Sequence, residues 1–195
     1  LLEIDNRYEI PIIEDSVEAF RPMYKGRLCG SFGNYSILSF NGNKIITTSS
    51  GGALLCKDEQ DKERAIYLST QAKTTSSLYG EVGFNYRMSN VLASLGIEQL
   101  KVLNKRIEQR RDNHTKYHSL LSDLKGVELQ QENNSYFYSN FWLNCIITNN
   151  PEISKSALID EFTKQHIEVR PLWFPLHLQD YLKGSLYYGD NFSET

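Results

Sequence analysis

The stretch from Ser39 to Gly52, SFNGNKIITTSSGG, constrains this chain more than any other. It sets a single lysine, Lys44, in a Gly/Asn turn between apolar runs. Tyr35 to Phe40 precedes the turn, Ile45-Ile46 follows it, and Ala53 to Cys56 comes after a loop of small residues. Such runs predict strands on either side of the lysine. A lysine held at that turn has two readings. It is a solvated surface charge, the commoner fate of a loop lysine, or a Schiff-base lysine whose amine joins covalently to an aldehyde cofactor. The stretch is not a phosphate-binding P-loop, because the lysine precedes Gly51 and Gly52 instead of following a glycine-rich run. The paired glycines predict close backbone approach or positive φ.

Composition narrows the class. The chain has 195 residues, enough for one sizeable domain or a large part of a two-domain enzyme. Apolar residues make up 40 %, which suits a packed core, and a net charge of −3 argues against nucleic acid as a partner. Lys105-Arg106 and Arg110-Arg111 read as a solvated helix face. The cysteines, Cys29, Cys56 and Cys145, lie far apart with no C-x-x-C spacing, so neither a disulfide framework nor a zinc site is expected. No signal-peptide pattern and no apolar run of membrane-spanning length appears, and the expectation is a cytoplasmic protein with reduced thiols and no membrane partner.

Taken in order, the pattern is α/β. Leu1 to Tyr8 reads as the tail of a helix, and Ile10 to Ile13 as a short buried parallel strand ending in Glu14-Asp15. An acid beyond the carboxyl end of such a strand is placed for ligand chemistry. Alternatively, Asp15 with Glu18 forms the capping box of a following helix. Tyr24 to Arg27 is a turn, Asp58 to Gln71 an exposed helix and residues 72–82 a loop. Ser89 caps a long helical region to about Leu124, broken near Asn104. On it, Ala93, Ile97, Leu100 and Ile107 form one apolar face, and Val91, Leu95 and Val102 a second face interrupted by Glu98. His114 and His118 stand four apart with no third ligand, so they read as surface histidines, with no metal site. After Gly126 a small α+β region follows: a strand from Phe141 to Ile147, a helix from Ser154 to Gln165 and a strand from Ile167 to Arg170. It closes on Arg170 to His177, where aromatics beside an arginine and a histidine either line a pocket or fill a small core.

Four blocks in order, PIIEDSVEA, SFNGNKIITTSSGG, GFNYRMSNVLASLGIEQL and VRPLWFPLHLQ, resemble the DegT/DnrJ/EryC1/StrS family over Ile12 to about His177. These are sugar aminotransferases that use pyridoxal 5'-phosphate. The resemblance implies a partial aspartate-aminotransferase-like (fold type I) large domain with a parallel-rich sheet, long connecting helices and a small α+β C-terminal domain. Residues 1–103 would be part of the cofactor-binding large domain, and 104–195 the connecting helix and part of the small domain. Because family members run beyond both ends, the chain reads as an internal fragment.

By the same resemblance Lys44 is the Schiff-base lysine, and Asp15 partners the pyridinium nitrogen. Glu18 contacts the ring hydroxyl, and Ser39 bonds the cofactor phosphate. Asn85 reaches the phosphate in a neighbouring subunit, which implies a homodimer. Arg170, Trp173 and His177 fall where a nucleotide sugar would lie, although relatives often carry lysine at the position of Phe174. The implied reaction moves an amino group, from L-glutamate, to a nucleotide-linked 4-keto-6-deoxy sugar in surface polysaccharide or glycan biosynthesis. Lysine at position 44 argues against the dehydratase branch, which carries histidine there. The alternatives are a 3-keto-sugar aminotransferase and a truncated, non-catalytic remnant.

Overall fold

Short strands and capped helices follow the punctuation of the sequence closely in the computed structural model, which describes residues 1–75, 78–132 and 134–186. Two units are distinct, residues 1–123 with 129–144, and residues 124–128 with 145 onward. The division expected at 103/104 falls within the first unit.

The first unit opens with α1 (Leu2–Tyr8), which stops where Glu9 turns left-handed at φ 53°. Strand β1 covers Ile13–Asp15, later than the expected Ile10–Ile13. Pro11 has no amide to donate, and the Ile12 amide donates to the Asn34 side chain at 2.9 Å, so pairing starts only at Ile13. Strands β2 (Met23–Tyr24) and β3 (Arg27–Leu28) form a hairpin. Its two turn residues, Lys25 and Gly26, both have positive φ, as a tight hairpin turn requires. Strand β4 (Tyr35–Ser39) lies between β1, which it pairs in parallel, and β5 (Gly52–Cys56), which it pairs antiparallel. The parallel partner agrees with the sequence; β5 makes this a mixed sheet.

Asp58 caps α2 (Glu59–Ser69), accepting the Asp61 amide at 2.9 Å. Ser89 caps α3 (Asn90–Lys101), and α4 (Leu103–Leu121) follows after a break at Val102, close to the break expected at Asn104. The core is small: Ile46, Leu103 and Ile107, with Phe20, Phe40, Ile45 and Tyr138 against them. Ile45 and Ile46 therefore turn inward to α4 and do not form a strand after Lys44. Most apolar residues of α3 are open, including Val91, Leu95, Ile97 and Leu100.

Two expectations about α4 are corrected. His114 is buried, stacked on Phe141 with ring centroids 3.6 Å apart and bonded through Nδ1 to the Asn144 side chain at 2.9 Å. Only His118 lies at the surface. Arg111 is not a freely solvated helix charge: it pairs with both oxygens of Glu132, at 2.8 and 3.1 Å, and donates to the Ser139 carbonyl at 2.6 Å. No metal-binding cluster occurs among the described residues.

In the first unit β7 (Phe137–Tyr138) joins the β2–β3 hairpin, and β6 (Val127–Leu129) pairs with β8 (Ile146–Thr148). The strand expected from Phe141 is shortened because Phe141 sits at φ 44°. Ser154 caps α5 (Lys155–Lys164). The strand expected over Ile167 to Arg170 does not form, and two short 3₁₀ turns follow, at Leu176–Leu178 and Asp180–Leu182.

Candidate active site

The carboxyl ends of β1 and β4 face the same way, because the strands are parallel. Asp15 ends β1 opposite Ile37, and Ser39 ends β4 two residues further on, roughly 7 Å along the strand. Both polar side chains thus stand at one edge, where open α/β sheets bind ligands. Asp15 is exposed, and among the described residues its carboxylate accepts only the amide of Val17, two residues on, at 3.3 Å. No helix follows it, so the capping-box reading fails and the carboxylate stays available. The Ser39 hydroxyl accepts the Asn41 amide at 3.3 Å.

Beyond Ser39 the chain turns back on itself. The Lys44 amide donates to the Asn41 carbonyl at 3.1 Å, the Thr48 amide to Phe40 at 2.9 Å, and the Phe40 amide to Gly51 at 3.0 Å. The glycine pair closes the loop in the two ways anticipated. Gly51 has φ +91°, and a Cβ on Gly52 would stand 2.3 Å from the Leu38 carbonyl oxygen. Loop closure brings Lys44 to Glu18, whose carboxylate bonds the amine directly. The Lys44 side chain is only 11 % exposed and that of Glu18 is 40 % exposed. This is a covered amine with an acidic partner at a strand-end edge, not a solvated loop lysine.

The wall beside Lys44 comes from a distant segment. Trp142 is buried, and its ring centroid is 5.0 Å from the Lys44 amine. The indole N–H donates to the Asn43 carbonyl at 2.7 Å, and the Trp142 amide to the Asn140 side chain at 3.0 Å. Asn140, also buried, donates in turn to the Phe20 carbonyl at 3.3 Å and the Glu18 carbonyl at 3.5 Å. Glu14, like Trp142 and Asn140, is a residue the sequence did not single out. Its carboxylate accepts the amides of Gly30 at 2.7 Å and Gly33 at 2.6 Å, and that of Phe32 as well. It ties the loop before β4 to the strand that carries Asp15. For Glu14 the one available signal was its place beside Asp15 at the strand end; for Trp142 and Asn140 no local signal existed.

The remaining candidates lie elsewhere. Asn85 is exposed, bridged through its backbone to Thr70, and its side chain makes no hydrogen bond among the described residues. Arg170, Trp173 and His177 belong to the second unit. There Arg170 pairs with Glu168, its Nε donating at 2.8 Å. Trp173 and Phe174 are 71 % and 66 % exposed, so these aromatics are not a core. A concavity of about 490 Å³ is lined by Ile45 and by α4 residues including Arg106, Arg110 and Lys116, and neither Lys44 nor Asp15 lines it.

The donor set suits an aldehyde cofactor carrying a phosphate. It offers a covered primary amine for the covalent link, an open carboxylate for a ring nitrogen, and a hydroxyl at the neighbouring strand end.

Similarity to known proteins agrees. The profile of the DegT/DnrJ/EryC1/StrS aminotransferase family matches residues 1–195. EpsN of Bacillus subtilis (strain 168), whose name assigns it provisionally to the pyridoxal phosphate-dependent aminotransferases, is 42 % identical over 190 residues. That match spans 96 % of this chain and 48 % of EpsN. GDP-perosamine synthase of Escherichia coli O157:H7 is 31 % identical over 179 residues, 91 % of this chain and 48 % of the synthase. The chain thus spans about half the length of these relatives. Among solved structures, PseC of Helicobacter pylori, an aminotransferase of pseudoaminic acid biosynthesis, superposes with a TM-score of 0.86 at 19 % identity. The superposition covers 98 % of this chain and 53 % of PseC, and it shows the fold alone. A matching profile along the whole sequence, on the aminotransferase fold, places this chain in the DegT/DnrJ/EryC1/StrS aminotransferase family.

Proposed function

We propose that this chain carries the lysine-bearing part of a pyridoxal phosphate-dependent aminotransferase. It transfers an amino group from an amino acid, L-glutamate, to a nucleotide-linked 4-keto-6-deoxy sugar. The observation that carries the reading is the covered Lys44 amine, paired with Glu18, on the loop that leaves β4 after Ser39. Bound there, pyridoxal phosphate supplies the aldehyde carbon that exchanges amino groups and a ring that takes up electrons when a proton leaves.

The chain's own residues do the rest. Lys44 provides the amine for the covalent link and, once freed, moves a proton as general base and then acid. Glu18 holds the amine in place beforehand and would bond the ring hydroxyl of the bound cofactor. Asp15 keeps a proton on the ring nitrogen by placing a carboxylate against it. Ser39 bonds the phosphate. Asn85, whose exposed side chain makes no hydrogen bond among the described residues, serves the neighbouring subunit of a homodimer, and the open apolar residues of α3 support that pairing. Arg170 meets the sugar's diphosphate with a planar charged fork, with Trp173 and His177 beside it.

Support for the substrate class comes from the relatives, since GDP-perosamine synthase is named for a nucleotide sugar. A cytoplasmic location follows from that substrate and fits the free state of Cys29, Cys56 and Cys145. No helix among the described residues is long and apolar enough to cross a membrane.

The test is turnover of nucleotide-linked 4-keto and 3-keto 6-deoxy sugars with glutamate by the intact protein. Amination of the 4-keto sugar is expected; turnover of the 3-keto sugar alone would remove this assignment.

A further inference from the structure

Lys44 is held by two partners of different kinds. Glu18 supplies charge from one side. Trp142 supplies an aromatic face from the other, 5.0 Å from the amine. Of the two, only Trp142 also holds the turn that carries the lysine, because its indole N–H bonds the carbonyl of Asn43, the preceding residue, at 2.7 Å. The same short segment reaches the other half of the ion pair. Asn140 bonds the carbonyls of Glu18 and Phe20 through one amide nitrogen and the Trp142 backbone through its oxygen. The segment is itself anchored. Arg111 on α4 donates to the Ser139 carbonyl, and Glu132 accepts the Ser139 amide at 2.5 Å. A continuous chain of contacts thus runs from α4 through residues 139–142 to both members of the Glu18–Lys44 pair.

We infer that Trp142 is a positioning residue for Lys44: its ring face walls the amine in, and its N–H fixes the turn so that the amine meets Glu18. The inference rests on the reading of Lys44 given above and adds to it a residue about a hundred positions away. An aromatic face attracts an ammonium and also excludes water from it, which limits the positions the amine adopts. A buried indole N–H demands a partner, and here the partner is the loop carbonyl, so the ring and the loop hold each other in register.

The test compares the intact protein with Trp142→Leu, which removes ring and donor, and Trp142→Phe, which keeps a ring and deletes the donor. Two rates are measured at Lys44 by mass spectrometry of its peptide. One is covalent attachment of pyridoxal phosphate, fixed with borohydride. The other is reductive methylation with formaldehyde and cyanoborohydride in the absence of cofactor. Lys164, an exposed lysine in the second unit, is the internal reference.

In Trp142→Leu, attachment is expected to slow by about tenfold, the scale of a partly desolvated cation–π contact. Methylation is expected to quicken several-fold with Lys164 unchanged, because the wall is gone. Opposite movement of the two rates is the signature of positioning, since general loosening raises both. Rates that move together, or do not move, overturn the inference. Should Trp142→Leu fail to fold, Trp142→Phe decides. Attachment about fivefold slower, the scale of one hydrogen bond, supports the inference, and a parent-like rate overturns it. If the parent protein itself fails to attach pyridoxal phosphate at Lys44, the proposed function fails. Methylation then decides alone: faster at Lys44 in Trp142→Leu keeps the positioning role, and no change removes it.

Discussion

Trp142 and Asn43 are joined by an indole N–H to carbonyl hydrogen bond of 2.7 Å across 99 positions of sequence. That contact makes the lysine turn a tertiary structure and not a local one. The turn's own bonds are short-range, from Asn41 to Lys44 and from Phe40 to Thr48 and Gly51. Without the 139–142 segment the Lys44 side chain would keep Glu18 but lose its aromatic wall.

Asn140 is the other half of that fastening. It is buried and bonds three backbone groups, the Phe20 and Glu18 carbonyls and the Trp142 amide. Asn140→Ala strands them, and a loss of about 2 kcal/mol is expected. Chemical denaturation checks this, with a lowered midpoint and an unchanged slope as the expected result.

Glu14 acts on the opposite side of the site. Replacement by alanine leaves the Gly30, Phe32 and Gly33 amides without their acceptor and should cost about 3 kcal/mol. Glutamine keeps an acceptor oxygen and should cost about half as much. Equal stability of the alanine variant and the parent would show that water replaces the carboxylate there.

The Arg111–Glu132 pair predicts an acid-sensitive strap. The Arg111 guanidinium holds the Glu132 carboxyl below the usual carboxylate range, helped by the Ser139 amide and opposed by burial. A depressed folded-state value means this stabilisation is present above the unfolded pKa of about 4.3. It is lost as pH falls through the lower folded value. Glu132→Gln should therefore lower stability at neutral pH and narrow the difference from the parent below about pH 4. A constant difference between pH 7 and pH 3 (roughly the span in which a carboxylate pair is lost) would contradict the assignment.

Gly52→Ala tests the closing of the loop. The new Cβ would stand 2.3 Å from the Leu38 carbonyl oxygen, a backbone atom that cannot move without β4, and Ser39 sits at the end of that strand. Overpacking of this kind costs about 1–3 kcal/mol. Loss of cofactor affinity beyond the loss of stability is expected, read by titration of the visible absorbance.

Much of this could be read in the sequence, for stated physical reasons. Asp58, Ser89 and Ser154 cap helices because a side-chain oxygen before an amphipathic run satisfies an orphan amide, which is a local rule. Lys44 stood out because it is one lysine in a small-residue loop between apolar runs. What escaped was long-range. Ile45 and Ile46 look like a strand, but α4 offers a core that draws them inward. His114 looks exposed beside polar neighbours until Phe141 stacks on it. Phe141 breaks its expected strand at positive φ; beside it Trp142 bonds the lysine loop at Asn43, and Asn140 bonds the carbonyls of Glu18 and Phe20. No periodicity of a single segment encodes such contacts.

The central claim is that Lys44 bears the cofactor. The measurement is incubation of the intact protein with pyridoxal 5'-phosphate, borohydride reduction and mass spectrometry of the peptides, beside Lys44→Ala. The account predicts a visible absorbance band in the parent, a reduced adduct on the Lys44 peptide, and neither in the variant. An adduct on another lysine, or equal labelling in Lys44→Ala, would contradict it.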